Sequence, residues 1–319
     1  MKEFVPITIA NGDGVGSEIM ESLLHILMEA GARVRLELIE VGEKLYAKNY
    51  VSGIAEDTLE SIARTSVLLK APITIPTNDN SYLNLSDTLK KVMSLNTNIS
   101  SFISYYPFVK APYSGMDILI ISENYENKLD YEEIIKFTFE FAIKNNRKKV
   151  SYLDNITELP EEIFYKTFVE IAKEYPQIES EYHAVNIDDP NVINKIELYD
   201  VILATKHYSN ILINLLSVTN AYPLITCCAD IGEYYSMFQA GHGPMEDKAG
   251  QNIVNPSSLL YAAIMMLRHI DQDDIASLIE NAWKKTIQNG IHTSEIYNEN
   301  ISSIKVGTKE FAAEIIKRL

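Results

Sequence analysis

Residues Ile7 to Ile19 hold an apolar run, a turn rich in glycine (Gly12, Gly14, Gly16), and then apolar positions Leu23, Leu24 and Leu27 at helical spacing. That order reads as strand, loop and helix, and a chain that begins this way is committed to pairing its first strand inside a layered sheet. The spacing is not the G-x-G-x-x-G of an ordinary dinucleotide fold. Downstream the pattern keeps alternating. Strand candidates are Arg33-Ile39, Ser66-Leu69, Asp117-Ser122, Lys149-Leu153, Glu181-Ile187 and Asp200-Ala204. Helix candidates are Glu56-Arg64, Tyr131-Asn145, Pro160-Glu174, Ile275-Asn289 and Thr308-Arg318. Alternation of this kind specifies an α/β fold. The polar stretch Thr77-Ser81 reads as a loop, and no repeat or low-complexity linker interrupts the chain.

A chain of 319 residues, 46% apolar and 23% charged, can bury a large core, and no apolar run reaches the ~18 residues that a membrane span needs. The net charge of −16 and pI of 4.8 exclude nucleic acid and anionic membrane as the main partners, because both attract basic surfaces. Met1 to Pro6 runs into the first strand without a charged leader or apolar segment, which predicts a cytoplasmic protein. Cys227 and Cys228 are adjacent, a poor geometry for a disulfide, and read as thiols in a reducing compartment. His25, His183, His207, His269 and His292 are scattered without metal-ligand spacing.

A second long motif, Gly241-His242-Gly243-Pro244-Met245-Glu246-Asp247-Lys248-Ala249-Gly250-Gln251-Asn252-Ile253-Val254-Asn255-Pro256, precedes an apolar helical segment from Ser257 to His269. Together with the Asn11 to Gly16 turn it resembles the signature of the isocitrate/isopropylmalate dehydrogenases. The texture is nearest the NAD(P)-dependent isocitrate dehydrogenases of intracellular alphaproteobacteria. The resemblance extends from Ile7 to Gly307-Phe311 and implies an isopropylmalate-dehydrogenase-like two-lobed fold, with a large mixed sheet flanked by helices and a smaller middle α/β lobe. The large lobe is expected over residues 1–98 plus 241–319, and the small lobe and dimerisation region over 99–240. The implied active site lies between the lobes and is completed by a second subunit.

What the resemblance implies for chemistry is oxidative decarboxylation of a 2-hydroxy acid, with a divalent metal held by aspartates. Here the three metal positions are Asn186, Asn210 and Asn214, with Lys206 nearby and Asp188 and Asp189 two and three residues past the first. A neutral amide does not offset a divalent charge as a carboxylate does. The substrate-gripping positions fall on Asn84, Ser86, Lys90, Ser100 and Ser122, so hydroxyls stand where two guanidinium forks belong. The proton-transfer regions differ too: the segment after Glu126 runs almost directly into the helix at Tyr131, and Ser151 to Ile156 contains no lysine. The first of these regions is also the family's intersubunit clasp, here short.

On the nucleotide side, Thr74, His242, Gly243, Asp247 and Asn255 match cofactor-binding positions, Asp247 suiting the free ribose hydroxyls of NAD. Glu246 beside Asp247 opposes a pyrophosphate. These substitutions lead to the expectation of a catalytically inactive relative with a regulatory, binding or structural role. On that reading it requires no cofactor, retains NAD binding at most, and uses neither Mg nor Mn. It assembles as a homodimer or as a heteromer with an active homologue. Two alternatives stay open. One is a dehydrogenase of changed substrate, using Lys206, Lys90, Asp188 or Glu123 in new roles; the other is a scaffold or host-directed protein that keeps only the fold.

Overall fold

The computed structural model describes residues 3–76, 81–105, 107–109, 115–125, 131–155, 162–185, 196, 198–218 and 224–319. The chain divides into two compact units, Met1–Leu95 with Ile225–Leu319, and Asn96–Leu224. The first is therefore built from both ends of the chain.

Unit 1 opens with β1 (Val5–Ala10), α1 (Gly16–Glu29), β2 (Val34–Ile39), α2 (Glu43–Tyr46), α3 (Glu56–Thr65), β3 (Val67–Lys70) and α4 (Leu85–Val92). Ile7, Thr8 and Ile9 are all buried because β1 is covered on both faces, as expected of a parallel strand between parallel neighbours. Thr8 is accommodated there because its hydroxyl meets Ser61 at 2.9 Å and Thr65 at 2.7 Å on α3. Helix α1 buries Ile19, Met20, Leu23, Ile26 and Leu27, the three-and-four spacing that its sequence shows.

Unit 2 contains β4 (Leu95–Ser104), β5 (Asp117–Glu123), α5 (Tyr131–Lys144), β6 (Lys149–Asn155), α6 (Glu162–Ala172), β7 (Glu179–Val185), β8 (Val201–Leu203) and α7 (Lys206–Val218). Its strands run in the order β4-β5-β8-β6-β7, with β4 antiparallel to β5 and the remaining pairs parallel. Ile118, Ile120, Leu153 and Ile202 pack with Tyr208, Leu212 and Leu216 of α7 to form its core.

The chain then returns to unit 1 with β9 (Leu224–Gly232), β10 (Ser236–Ala240), α8 (Ser257–His269), α9 (Asp273–Gln288), β11 (Ile291–Thr293), β12 (Ile304–Val306) and α10 (Thr308–Ile316). The larger strand array of this unit is ordered β2-β1-β3-β10-β9, with only the β10-β9 pair antiparallel. Helix α8 is buried almost all round, which accounts for its lack of a polar face, and Trp283 donates to Ser257 Oγ at 2.7 Å to close its start. The α/β class and mixed sheet anticipated from the alternation are thus present. Among the described residues no helix is long and apolar enough to cross a membrane.

Candidate active site

In unit 1 the loops after β1, β3 and β10 leave the carboxyl ends of parallel strands, where α/β sheets ordinarily place ligands. Short backbone bonds tie them together. Asp13 N donates to Pro72 O at 2.8 Å and Val15 N to Pro244 O at 2.8 Å. Gly12 (φ +74°) and Gly14 (φ +55°) make this approach possible, since a β-carbon would stand 2.2 Å from Pro72 O and Pro244 O respectively. Asp13 Oδ2 then accepts from Glu43 N and Thr74 N, both at 3.0 Å, and fixes the loop after β3.

The nucleotide positions predicted from sequence lie on these loops and their continuation. Thr74 donates its hydroxyl to Glu246 Oε1 at 2.7 Å, so one of the two carboxylates set against a pyrophosphate is engaged. Asp247 and Gly243 are exposed. His242 Nδ1 lies 3.0 Å from Gly243 O, while its Nε2 is buried with no partner among the described residues. Burial pushes the His242 pKa below the usual histidine value, keeping the ring neutral. An orphaned ring nitrogen beside a glycine with open space around it fits the adenosine end of a nicotinamide dinucleotide. Asn255 behaves differently. Its amide donates to Thr293 at 2.9 Å and its carbonyl accepts from Ser257 N at 2.9 Å, so the side chain secures the start of α8.

Of the substrate positions in unit 1, Asn84 is exposed and caps α4 by accepting from Asp87 N at 3.1 Å. Ser86 and Lys90 follow one turn apart on that helix, and Lys90 Nζ lies 3.2 Å from Asp230 Oδ1 on β9.

Unit 2 holds the others. Ser100 donates to Asn98 Oδ1 at 2.8 Å, and Asn98 pairs across the sheet with Ser122. Ser209 Oγ is 2.9 Å from Ser122 Oγ. Both serines at the missing-guanidinium positions are thus buried and bonded within the unit. Lys206, at the start of α7, donates to Asn124 O and lies 5.6 Å from the centroid of the Tyr125 ring. Asn210 and Asn214 are exposed one turn apart on α7. Asn186, Asp188 and Asp189 fall outside the described residues, as do the loop at residues 77–80 and the segment after Tyr125. Asn210 and Asn214 offer neutral oxygens, and among the described residues no group of three His, Cys, Asp or Glu side chains stands where it could hold a metal ion. The described donors alone therefore do not fit a divalent cation.

The sequence matches the isocitrate/isopropylmalate dehydrogenases over residues 6–130 and 125–315. The chain belongs to that family. A Rickettsia bellii protein named as an NADP isocitrate dehydrogenase is 50% identical, the alignment covering 100% of this chain and 71% of that protein. The solved isocitrate dehydrogenase of Methylococcus capsulatus superposes with a TM-score of 0.82 at 26% identity, covering 99% of both chains. A solved Thermus thermophilus protein gives a TM-score of 0.82 at 29% identity, covering 98% of this chain and 68% of its own.

These relatives correct two expectations. Five Rickettsia proteins, 46% to 50% identical over the whole chain, bear the name of an NADP isocitrate dehydrogenase, which overturns the reading of a catalytically inactive, purely regulatory or structural protein. That reading rested on the joint loss of metal, substrate and proton-transfer positions, whereas half of the sequence is shared with a protein named for the activity. Membership of the family also overturns the expectation that no cofactor is required, with NAD binding retained at most, and that neither Mg nor Mn is used. Sequence reasoning did not single out Asp230, a buried carboxylate in the largely apolar run Leu224–Gly232.

Proposed function

We propose that the protein is a nicotinamide-dependent dehydrogenase that oxidatively decarboxylates a 2-hydroxy acid, with NADP as the first cofactor to test. The observation that carries this reading is the identity of 46% to 50%, across the full chain, to five proteins named for NADP and isocitrate. The neutral His242, whose Nε2 has no partner among the described residues, and the three loops tied around Gly12 and Gly14 support a site suited to the nucleotide. When bound, the cofactor accepts the hydride.

The chain's own residues bear on the substrate. Lys90 offers a single ammonium to a carboxylate in place of a planar fork. Ser100 and Ser122 spend their hydroxyls inside unit 2, so a substrate with fewer carboxylates than isocitrate suits the remaining positions. Assembly into an oligomer accompanies this reading; a Kluyveromyces lactis relative, 28% identical, is named as a subunit of an NAD isocitrate dehydrogenase.

The test is reduction of NADP and of NAD by the purified chain, with magnesium or manganese, in parallel arms containing isocitrate, isopropylmalate or malate. Turnover above background in any arm supports the reading and selects the substrate. A folded protein that turns over none of them sinks it.

A further inference from the structure

Three charged side chains converge inside unit 1. Lys70 ends β3 and is 4% exposed. Asp230 lies on β9 and is fully buried, and the side chain of Lys90, on the last turn of α4, is 20% exposed. Asp230 Oδ1 is 3.2 Å from Lys90 Nζ, and Gln239 Nε2 donates to Asp230 Oδ2 at 3.1 Å. Gln239 reaches it from the adjacent strand β10, where it stands opposite Cys228. Burial lowers the Lys70 pKa to about 8, with the Asp230 carboxylate opposing that fall and the Lys90 charge adding to it.

The Asp230 carboxylate faces both amines, with Cys228 and Asp13 also acting on Lys70, in surroundings that screen charge poorly. Lys90 is the member that reaches solvent, and so the one able to meet an anion there. A lysine differs from an arginine in having a compact charge on a freely rotating stem, without a pre-organised fork. Something else must fix its direction.

We propose that Asp230 is a positioning residue, clamped by Gln239, that holds the Lys90 ammonium where it meets a carboxylate of the substrate and does not itself touch substrate. This rests on the dehydrogenase reading above. It assigns the substrate contact to a lysine whose aim is set by a buried carboxylate on a different strand. The Asp230 charge weakens the pull of Lys90 on an anion, and Lys70 offsets that loss.

The experiment is a double-mutant cycle in which D230N, K90M and D230N/K90M are measured by steady-state NADP reduction with the 2-hydroxy acid that the wild-type protein turns over. We expect D230N to raise KM about tenfold while kcat stays within about threefold, and to have less than about a twofold effect in the K90M background. A change of equal size in both backgrounds, or no change in KM, overturns the proposal while leaving the dehydrogenase reading intact. Q239L removes only the clamp, so it keeps the proposal testable if D230N fails to fold; it should raise KM in the same direction and by less. An unchanged KM in Q239L, with D230N unfolded, also overturns it. Wild-type protein without turnover on any 2-hydroxy acid would instead overturn the reading beneath it.

Discussion

Gly14 sits against Pro244 so closely that a β-carbon on Gly14 would lie 2.2 Å from the Pro244 carbonyl oxygen, and Val15 N reaches that same oxygen at 2.8 Å. The oxygen is backbone and cannot swing aside. Gly14→Ala should therefore cost on the order of 2–4 kcal/mol through strain at positive φ and overpacking. Urea unfolding would show it as a lower midpoint with an unchanged slope, and the rise in melting temperature caused by NADP should shrink.

Lys70 is charged in the unfolded chain up to about pH 10.5, but its folded pKa is about 8. The folded protein thus releases a proton that the unfolded chain retains between those values, and wild-type stability rises as pH climbs from about 8 to 10.5. At pH 7 the buried charge is carried at a cost. Lys70→Met should stabilise the protein at pH 7 by on the order of 3 kcal/mol, an advantage that shrinks above pH 8. A variant less stable than wild type at pH 7 would contradict this. Asp230 keeps Lys90 and Gln239 as partners in the variant.

His292 is 1% exposed, with Nε2 3.0 Å from Ile287 O and Nδ1 2.7 Å from Ser302 Oγ, and burial holds its pKa below the ordinary 6.5. His242 is lowered by burial as well. Unfolding then takes up protons once pH falls through 6.5, so stability should decline on acidification from pH 7.5 to 5, by up to about 1.4 kcal/mol per pH unit for each histidine. His292→Gln and His242→Gln should each flatten the curve, measured as unfolding free energy against pH. A slope untouched by both substitutions would remove these groups as its source.

Asn210 and Asn214 lie one turn apart and exposed on α7, so substitution there disturbs little packing. Each carboxylate added near a divalent cation contributes on the order of a few kcal/mol. N210D/N214D should therefore bind manganese at least about tenfold more tightly than wild type in calorimetry. Equal affinity in the two proteins would show that the cation is not held at these positions.

Much of the fold was legible because helices such as α9 and strands such as β1 carry their period openly. Other elements hid for physical reasons. Strand β4, with the sequence LNTNISSFIS, is rich in polar residues that no alternation flags. Its Ser100 and Asn98 become acceptable only once they bond to each other and Ser122 stands across the sheet. Helix α4 has eight residues, five of them charged or hydroxylic and none of these buried, and only Leu85 and Leu89 anchor it in the core. At the candidate site, Thr74 and His242 were singled out through the motifs that contain them. The pairing of Lys90 with Asp230 was not, because it joins positions far apart in the chain and depends on where β9 lies beside β10.

Strand β3 lies between β1 and β10, and β10 is separated from it in sequence by the whole of unit 2. During synthesis β3 therefore leaves the ribosome with one side paired and the other bare, and stays so until the intervening unit has been translated. Non-local closure of this kind slows folding and exposes a sticky strand edge meanwhile. The nascent chain spends that interval as a template for unwanted pairing, and the return of β10 at once completes the sheet and brings Gln239 to Asp230.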